Sequence, residues 1–338
     1  MRGRDVVRGA GLLLLLARAA SADAPTSTVT ITLNAEGQNL AQGLGETQAE
    51  LIQRVHDKID SLYQLANIAD LLHAFGDASV AANRGFGVDY AIFDGAIEVG
   101  FVATAAFAGG PPVGTKGATA GDVIAYGGTA GASLARWGVP RISVFANVGY
   151  TSASIDELSG HLTTFGAHAR VDAIRPRGAW LGLALTSGLE ISRASLGATH
   201  GGLTSKFTVQ GNTPGESRNL TFSAAGTLDL VATTETVPLI VTTGVRAGGF
   251  SAYVGGGLDL TTGGSTMTAS LDGDLSITQD MTKVGTLQIT ASGTQDATAT
   301  ALRALAGMSV QAWHVNVFLQ GDISQTASGV TLGLRATL

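Results

Sequence analysis

Apolar and polar residues alternate along most of this chain. From Arg84 to the carboxyl end, apolar residues recur at every second position in short runs, with small or polar residues between them. Because side chains point to opposite faces of a β-strand in turn, this period of two predicts strands with one apolar face. Turns that contain glycine or proline separate the runs, and counting them predicts about 14 antiparallel strands, with a range of 12 to 16. The clearest runs begin at Phe86, Ile97, Ala130, Ile142, Phe165, Leu181, Leu220, Leu228, Val237, Phe250, Met267, Leu287, Ala304, Val315 and Val330.

The last ten residues continue the pattern and form an apolar strand. In water, an unpaired apolar edge strand invites aggregation, whereas a barrel that pairs its last strand with its first has no edge. We therefore predict an all-β fold, an antiparallel transmembrane β-barrel. Its closing strand is expected to present an apolar face to lipid and to act as an assembly signal. That face consists of Val330, Leu332, Leu334, Ala336 and Leu338.

A different period precedes the strands. From about Thr47 to Phe75, apolar residues recur every three or four positions, which predicts one amphipathic α-helix. Thr47 followed by Glu50 fits a capping box, and Gly76 fits a helix stop. The preceding segment 25–46 reads as an edge strand or an extended leader. We expect the helix to lie in or under the barrel lumen, as a plug, or on the periplasmic side, because its apolar stripe needs a partner.

The amino-terminal end has the parts of a secretory signal. Arg2, Arg4 and Arg8 precede a leucine run far shorter than the roughly 20 residues that span a bilayer, and a small-residue cleavage site follows at Ala22. The predicted organisation is a signal peptide at 1–22, a leader and helix at 23–83, and an outer-membrane barrel at 84–338. We therefore expect export to the outer membrane of a bacterial cell.

Composition supports this location. The chain is 45% hydrophobic but only 14% charged, where water-soluble domains usually carry about 25% charged residues. A net charge of −6, without a basic cluster, argues against nucleic-acid binding. The chain has no cysteine, which excludes disulfides and thiolate metal sites. Aromatic residues near predicted strand ends would form thin interfacial girdles: Trp137, Tyr150, Trp180, Tyr253 and Trp313.

Charged residues fall in the phase opposite the apolar one. A charge in hydrocarbon costs a few kcal/mol, so this phase is expected to face the lumen. It could line a polar pore, or it could pack as paired ions in a filled interior; the pattern leaves both open. The candidates are Asp89, Glu98, His168, Arg170, Asp172, Glu190, Asp229, Arg246, Asp259, Arg303 and Arg335.

Catalytic and metal-binding patterns are weak. None of the six histidines lies in a short metal-ligating motif, and His161 and His168 fall on opposite faces of one predicted strand. No GxSxG elbow occurs. The acidic tract around Asp272 and Asp274 could bind calcium, but an extended outer hairpin or loop is favoured. We expect no enzyme activity, no metal and no cofactor.

The whole mature chain resembles bacterial outer-membrane β-barrel proteins of the porin or transporter kind. Residues 76–85 also resemble the junction between hatch and barrel in long-chain fatty-acid transporters, which are fourteen-stranded barrels with an amino-terminal plug. This resemblance implies a channel for passive or gated passage of small solutes or lipids, with lipid and the barrel-assembly machinery as partners. The alternatives are a structural or surface-display barrel with a filled lumen, and a secreted soluble β-protein.

Overall fold

A computed structural model describes residues 25–84, 96–109, 122–155, 158–212 and 215–338. The predicted signal peptide, the predicted strand that begins at Phe86 and most of the glycine-rich loop after Phe107 lie outside these residues. Among the described residues, no helix is long and apolar enough to cross a bilayer. The elements are β1 (Thr26–Leu33), α1 (Ala35–Gly43), α2 (Gln48–Tyr63), α3 (Ile68–Arg84), β2 (Ile97–Phe107), β3 (Asp122–Ser133), β4 (Ile142–Ile155), β5 (Leu158–Ile174), β6 (Trp180–Gln210), β7 (Ser217–Ala247), β8 (Phe250–Ile277), β9 (Lys283–Asp296), β10 (Thr300–Ala312), β11 (Val315–Ser324) and β12 (Ser328–Thr337).

The strands form one antiparallel sheet that closes on itself. The described residues contain twelve strands, and ten of them make a ring in the order β8, β10, β11, β12, β2, β3, β4, β5, β6, β7 and back to β8. The closing strand β12 pairs with β2 along its length, from Ser328 opposite Phe107 to Thr337 opposite Glu98. The predicted antiparallel barrel is confirmed. The ring holds fewer strands than predicted because β7 and β8 each unite runs that the sequence presents as separate strands, and because β9 lies outside the ring.

Three strands of the ring continue far beyond it on one side. β6 and β7 have 31 residues each, which is roughly 100 Å of strand at about 3.3 Å per residue. Their outer parts pair with each other, the outer part of β7 pairs with the end of β8, and the sheet continues from β8 to β9 and then to β1. We call this part the extension: residues 192–210 of β6, 217–236 of β7, 262–277 of β8, and β9, β1, α1 and α2.

The apolar face of β7 changes sides along the strand. Within the ring, Val241 and Val245 point outward and are exposed. Within the extension, the buried apolar residues are Phe222 and Leu230, which belong to the opposite phase. The strand passes from one region to the other without a bulge in its pairing with β8. The outward face therefore meets hydrocarbon around the ring and water around the extension, because apolar side chains follow the apolar medium.

Strand β8 shows the same reversal. Phe250 and Val254 are exposed on the outside of the ring, whereas Met267 and Leu275 are buried inside the extension. The outer surface of the extension is instead rich in hydroxyl groups. One row crosses four paired strands and consists of Thr227, Ser270, Thr290 and Thr28.

A continuous apolar belt surrounds the ring. Its strands span about the 9–11 residues that a tilted strand needs to cross a bilayer. The predicted assembly-signal residues lie in this belt, with Val330, Leu332, Leu334 and Leu338 all exposed on the outer face. Other exposed members are Val99, Phe101, Ile124, Val148, Phe165, Leu185, Leu189, Val241, Val254, Met308, Val317 and Leu319. The protein is a membrane-spanning β-barrel of the outer-membrane class.

All three tryptophans lie at the end of the ring that is opposite the extension. Trp137 follows β3, Trp180 begins β6, and Trp313 occupies the two-residue turn between β10 and β11. All three are exposed, as expected for an interfacial girdle. Tyr253, which the sequence placed near a strand end, is instead buried inside the ring. The phenol fits there because it pairs across the strands with Gly307, whose missing side chain leaves room for the ring.

Helix α2 covers the inner face of the extension. Its buried side chains Leu51, Val55, Ile59 and Tyr63 pack in one cluster with apolar residues of β7, β8 and β9. Each such burial stabilises the fold by about 1.5–3 kcal/mol. The hydroxyl group of Tyr63 has a polar partner in this cluster, since it lies 3.2 Å from Ser205 Oγ. Burial raises the pKa of this phenol.

The helical segment has the predicted capping box but differs from the single predicted helix in its start, in a break near its middle and in its end. The capping box is present, and the hydrogen bonds from Thr47 hold the pKa of Glu50 below its ordinary value. The segment 35–43 is helical because Asn34 caps it through the amide of Gly37, where an edge strand or extended leader was expected. The chain then breaks at Gln64, with φ 54°, and resumes as α3 through Gly76 to Arg84. The predicted stop at Gly76 was wrong. A β-carbon there would stand 3.2 Å from both Ala297 Cβ and Ser265 Oγ, so glycine permits close packing.

Candidate functional site

Helix α3 fills the mouth of the ring at the side of the extension. It contacts β2, β3, β5, β6, β7, β8, β9 and β12, and therefore has ring strands around it. Residues 78–84 are buried without exception. Ala81 and Ala82 pack in one apolar cluster with Val102, Ala125 and Phe318, which belong to three different strands. Small side chains allow the helix to approach the barrel wall on several sides.

The end of α3 is held by buried charges. Arg84 Nε lies 2.7 Å from Asp259 Oδ2, and the Asp259 side chain is completely buried. Arg303 Nη1 lies 3.8 Å from the other oxygen of Asp259, and Arg303 Nη2 lies 2.6 Å from Asp322 Oδ1. The guanidinium of Arg303 also donates to the backbone oxygen of Arg84 at 3.0 Å. These four residues form a chain of alternating charge that joins α3 to β8, β10 and β11.

Further hydrogen bonds fix the helix on its other sides. Asn83 Nδ2 donates to the backbone oxygens of Phe165 (3.0 Å) and Ile191 (3.2 Å), on β5 and β6. The Ser79 hydroxyl lies 3.2 Å from that of Thr234 on β7. One turn nearer the start of the helix, Asp77 accepts from both the amide and the hydroxyl of Thr298. The contacts come from opposite walls of the barrel, so small rotations of α3 break bonds on at least one wall.

A second pair of ionisable side chains lies on the wall formed by β5 and β6. His168 Nε2 and Glu190 Oε1 are 3.2 Å apart, and both residues are buried. The imidazole ring occupies space left by two glycines, since a β-carbon at Gly166 or Gly188 would collide with it.

A third pair crosses the seam where the ring closes. Arg335 on β12 lies 2.8 Å from Glu98 on β2, so the ion pair joins the last ring strand to the first. The guanidinium carbon lies 5.1 Å from the centre of the Phe318 ring, within the range of a cation–π contact. That ring in turn covers Gly333, where a side chain would collide with it. Closure of the barrel is thus reinforced from inside.

The structure places most of the predicted lumen residues inside the ring. Glu98, His168, Glu190, Asp259, Arg303 and Arg335 are buried there in the pairs described. Arg170 and Asp172 form a partly exposed pair at 3.3 Å, and Arg246 donates to Ser251. Asp89 lies outside the described residues.

One residue of the predicted set faces the other way. Asp229 is exposed on the outer face of the extension. The assignment of Asp229 to the lumen was wrong because the apolar residues of β7 change faces between the ring and the extension. The outer face of β7 meets lipid in the ring and water in the extension.

Three partners in the network were missed. The pattern places Arg84 just before the first predicted strand and gives it no role, and it does not single out Asp322 or Gln320. The Gln320 side chain accepts from Tyr253 and donates to Asp322, at 2.9 and 2.8 Å. Gln320 and Asp322 lie in the polar phase of β11, and that position was a signal from which the sequence could have identified them.

A family model described as Lsa36-like matches residues 27–338. The chain belongs to the Lsa36-like family. The match includes β1, the helices and every ring strand, so the Lsa36-like unit comprises the extension as well as the barrel. No curated protein sequence matches the chain.

Solved structures similar to this Lsa36-like chain are β-barrels of outer membranes. The outer membrane protease OmpT from Escherichia coli is 10% identical, with a TM-score of 0.39, and the match covers 72% of this chain and 96% of that one. The translocator domain of the autotransporter NalP from Neisseria meningitidis is 12% identical, with a TM-score of 0.30 and coverages of 73% and 90%. The KdgM porin in complex with disordered oligogalacturonate is 6% identical, with a TM-score of 0.27 and coverages of 71% and 99%.

Proposed function

We propose that this protein is a closed barrel that anchors the extension at the bacterial surface, and that it is neither an open channel nor an enzyme. The observation that carries the proposal is α3 in the barrel mouth, with Arg84 bound to the buried Asp259. A carboxylate and a guanidinium removed from water are costly to separate, because each would be left buried and unpaired. A helix held in this way closes the mouth stably and leaves the polar interior as paired ions.

The orientation of the barrel supports display outside the cell. Outer-membrane barrels have short periplasmic turns and longer extracellular loops. Here the four connections at the tryptophan end of the ring, 134–141, 175–179, 248–249 and 313–314, have between two and eight residues. The extension, which is far larger than any of these connections, lies at the other end. On this rule, the extension projects from the cell surface.

Single cysteines test the orientation directly, because the native chain has none. Thr290→Cys lies on the outer face of the extension, and His314→Cys lies in a short turn at the opposite end. A membrane-impermeant maleimide added to intact cells is expected to label Thr290→Cys, and to label His314→Cys only after the outer membrane is permeabilised. The reverse pattern would place the extension in the periplasm and contradict surface display.

Conductance in planar bilayers tests whether the barrel is closed. The wild-type protein is expected to show no steady channels, and a variant that lacks residues 40–80 is expected to show them, because most of α3 is removed. Steady conductance of the wild type would refute the closed barrel in favour of a channel. A silent deletion variant that still shows heat-modifiable gel mobility would mean that α3 is not what closes the mouth.

A further inference from the structure

The extension ends in an unprotected edge strand. β1 pairs with β9 on one side, and no described strand pairs with its other side. Natural proteins usually guard such an edge with lysine, proline, inward-pointing charge or a bulge. β1 reads TSTVTITL, with none of these, and its residues favour extended backbone. Its free backbone groups are a template for one more strand.

A cavity of about 510 Å³ lies beside this edge, on the inner face of the sheet. Ser27 of β1 lines one side, while Leu65, Ile68 and Ala69 line another, from the corner between α2 and α3. Residues directly opposite each other on paired strands point to the same face. A residue paired with Ser27 would therefore direct its side chain into the cavity.

The charge of the extension selects the kind of side chain that would enter. Residues 25–63, 192–236 and 262–299, which are the extension with its connecting turns, contain twelve aspartates and glutamates against six lysines and arginines. Asp60 lines the cavity itself, and its side chain is 43% exposed. Its neighbour His56 lies 3.2 Å away and leaves that exposed part open to a second partner. The position therefore attracts a cation at the end of a long apolar stem.

We propose that β1 binds an extended segment of a partner protein by strand addition, with a lysine or arginine of that segment inserted beside Asp60. The backbone edge supplies hydrogen bonds that do not depend on sequence, and the cavity supplies selection for the basic side chain. The apolar wall formed by Leu65 and Ile68 fits the methylene stem of such a residue. This proposal rests on the proposed function, because the partner would bind the extension that the barrel displays.

The test uses the full-length protein in detergent and a fluorescent peptide, Thr-Val-Thr-Lys-Thr-Val-Thr, whose valines and lysine share one face of a strand. Saturable binding with one site per protein is expected in an anisotropy titration. Replacing the peptide lysine by glutamate is expected to weaken binding by about tenfold or more, the effect of losing one charge-assisted hydrogen bond. Methylating alternate backbone nitrogens on the pairing edge is expected to weaken it by a similar factor.

Two protein variants separate the site from general charge attraction. Asp60→Asn is expected to reduce affinity for the lysine peptide by about tenfold and to leave a leucine-containing peptide unaffected. Asp57→Asn, on the exposed side of the same helix, removes the same charge and is expected to change neither affinity. Both variants should keep heat-modifiable mobility, which shows that the barrel is folded.

Absence of binding would overturn the proposal, as would binding that ignores backbone methylation or treats Asp60→Asn and Asp57→Asn alike. Binding in detergent does not depend on which side of the membrane the extension occupies. Failure here is therefore distinguishable from failure of surface display, which the cysteine labelling measures.

Discussion

Replacing Asp259 by alanine is expected to destabilise the folded barrel by about 3–5 kcal/mol, the usual cost of removing one partner from a buried ion pair. The side chain is fully buried, and Arg84 and Arg303 both face it. Arg303 keeps Asp322, but Arg84 would keep the Ser324 hydroxyl at 2.9 Å and lose the carboxylate with which it is paired. Urea unfolding in detergent, followed by tryptophan fluorescence, measures the loss.

A matched control and a double variant make this result specific. Asp229→Ala removes an exposed carboxylate from the outer face of the extension and is expected to change stability by less than about 0.5 kcal/mol. Combining Asp259→Ala with Arg84→Ala is expected to restore part of the lost stability, because no unpaired guanidinium then remains at that site. Equal effects of Asp259→Ala and Asp229→Ala would contradict the role of the buried pair.

Placing arginine at Val241 is expected to cost about 2–4 kcal/mol of barrel stability, the penalty for this side chain near the bilayer midplane. Val241 lies on the outer face of β7, within the belt. Thr233 lies on the same face of the same strand, eight residues earlier, but in the extension and exposed. Thr233→Arg is therefore expected to have little effect, because arginine stays in water there.

The comparison is made by folding each variant into lipid vesicles and measuring the folded fraction against urea by heat-modifiable mobility. A large difference between two substitutions on one strand would locate the membrane surface between them. Similar penalties at Val241 and Thr233, or none at either, would contradict the assignment of the phase reversal to a change of solvent.

Much of this fold follows from local pattern. A period of two specifies strands whatever surrounds them, and the lipid-facing residues of the closing strand, such as Leu332 and Leu334, followed directly from it. The pattern does not state which face meets which medium. In the extension the apolar phase faces a covering helix and not lipid, so Leu228 and Leu230 were assigned to the wrong face and Asp229 with them.

The course of the helix and the ion pairs required tertiary information. Gly76 has low helical propensity, yet close packing against Ala297 and Ser265 keeps it within α3. Arg84 and Asp259 are 175 residues apart, and no local rule links them. The pattern predicted that the charged residues of the ring strands lie inside the barrel. Whether they line a pore or form paired ions depends on the position of α3, which the pattern did not give.

The continuity of β6, β7 and β8 has a mechanical consequence. The pairing of β6 with β7 runs from Gln210 opposite Ser217 in the extension to Trp180 opposite Val245 at the far end of the ring. A force that pulls the extension away from the ring acts along these strands and loads their hydrogen bonds together in shear. A flexible tether would instead transmit the load to one anchoring point. A pull on the extension is thus shared among many hydrogen bonds before it reaches the ring.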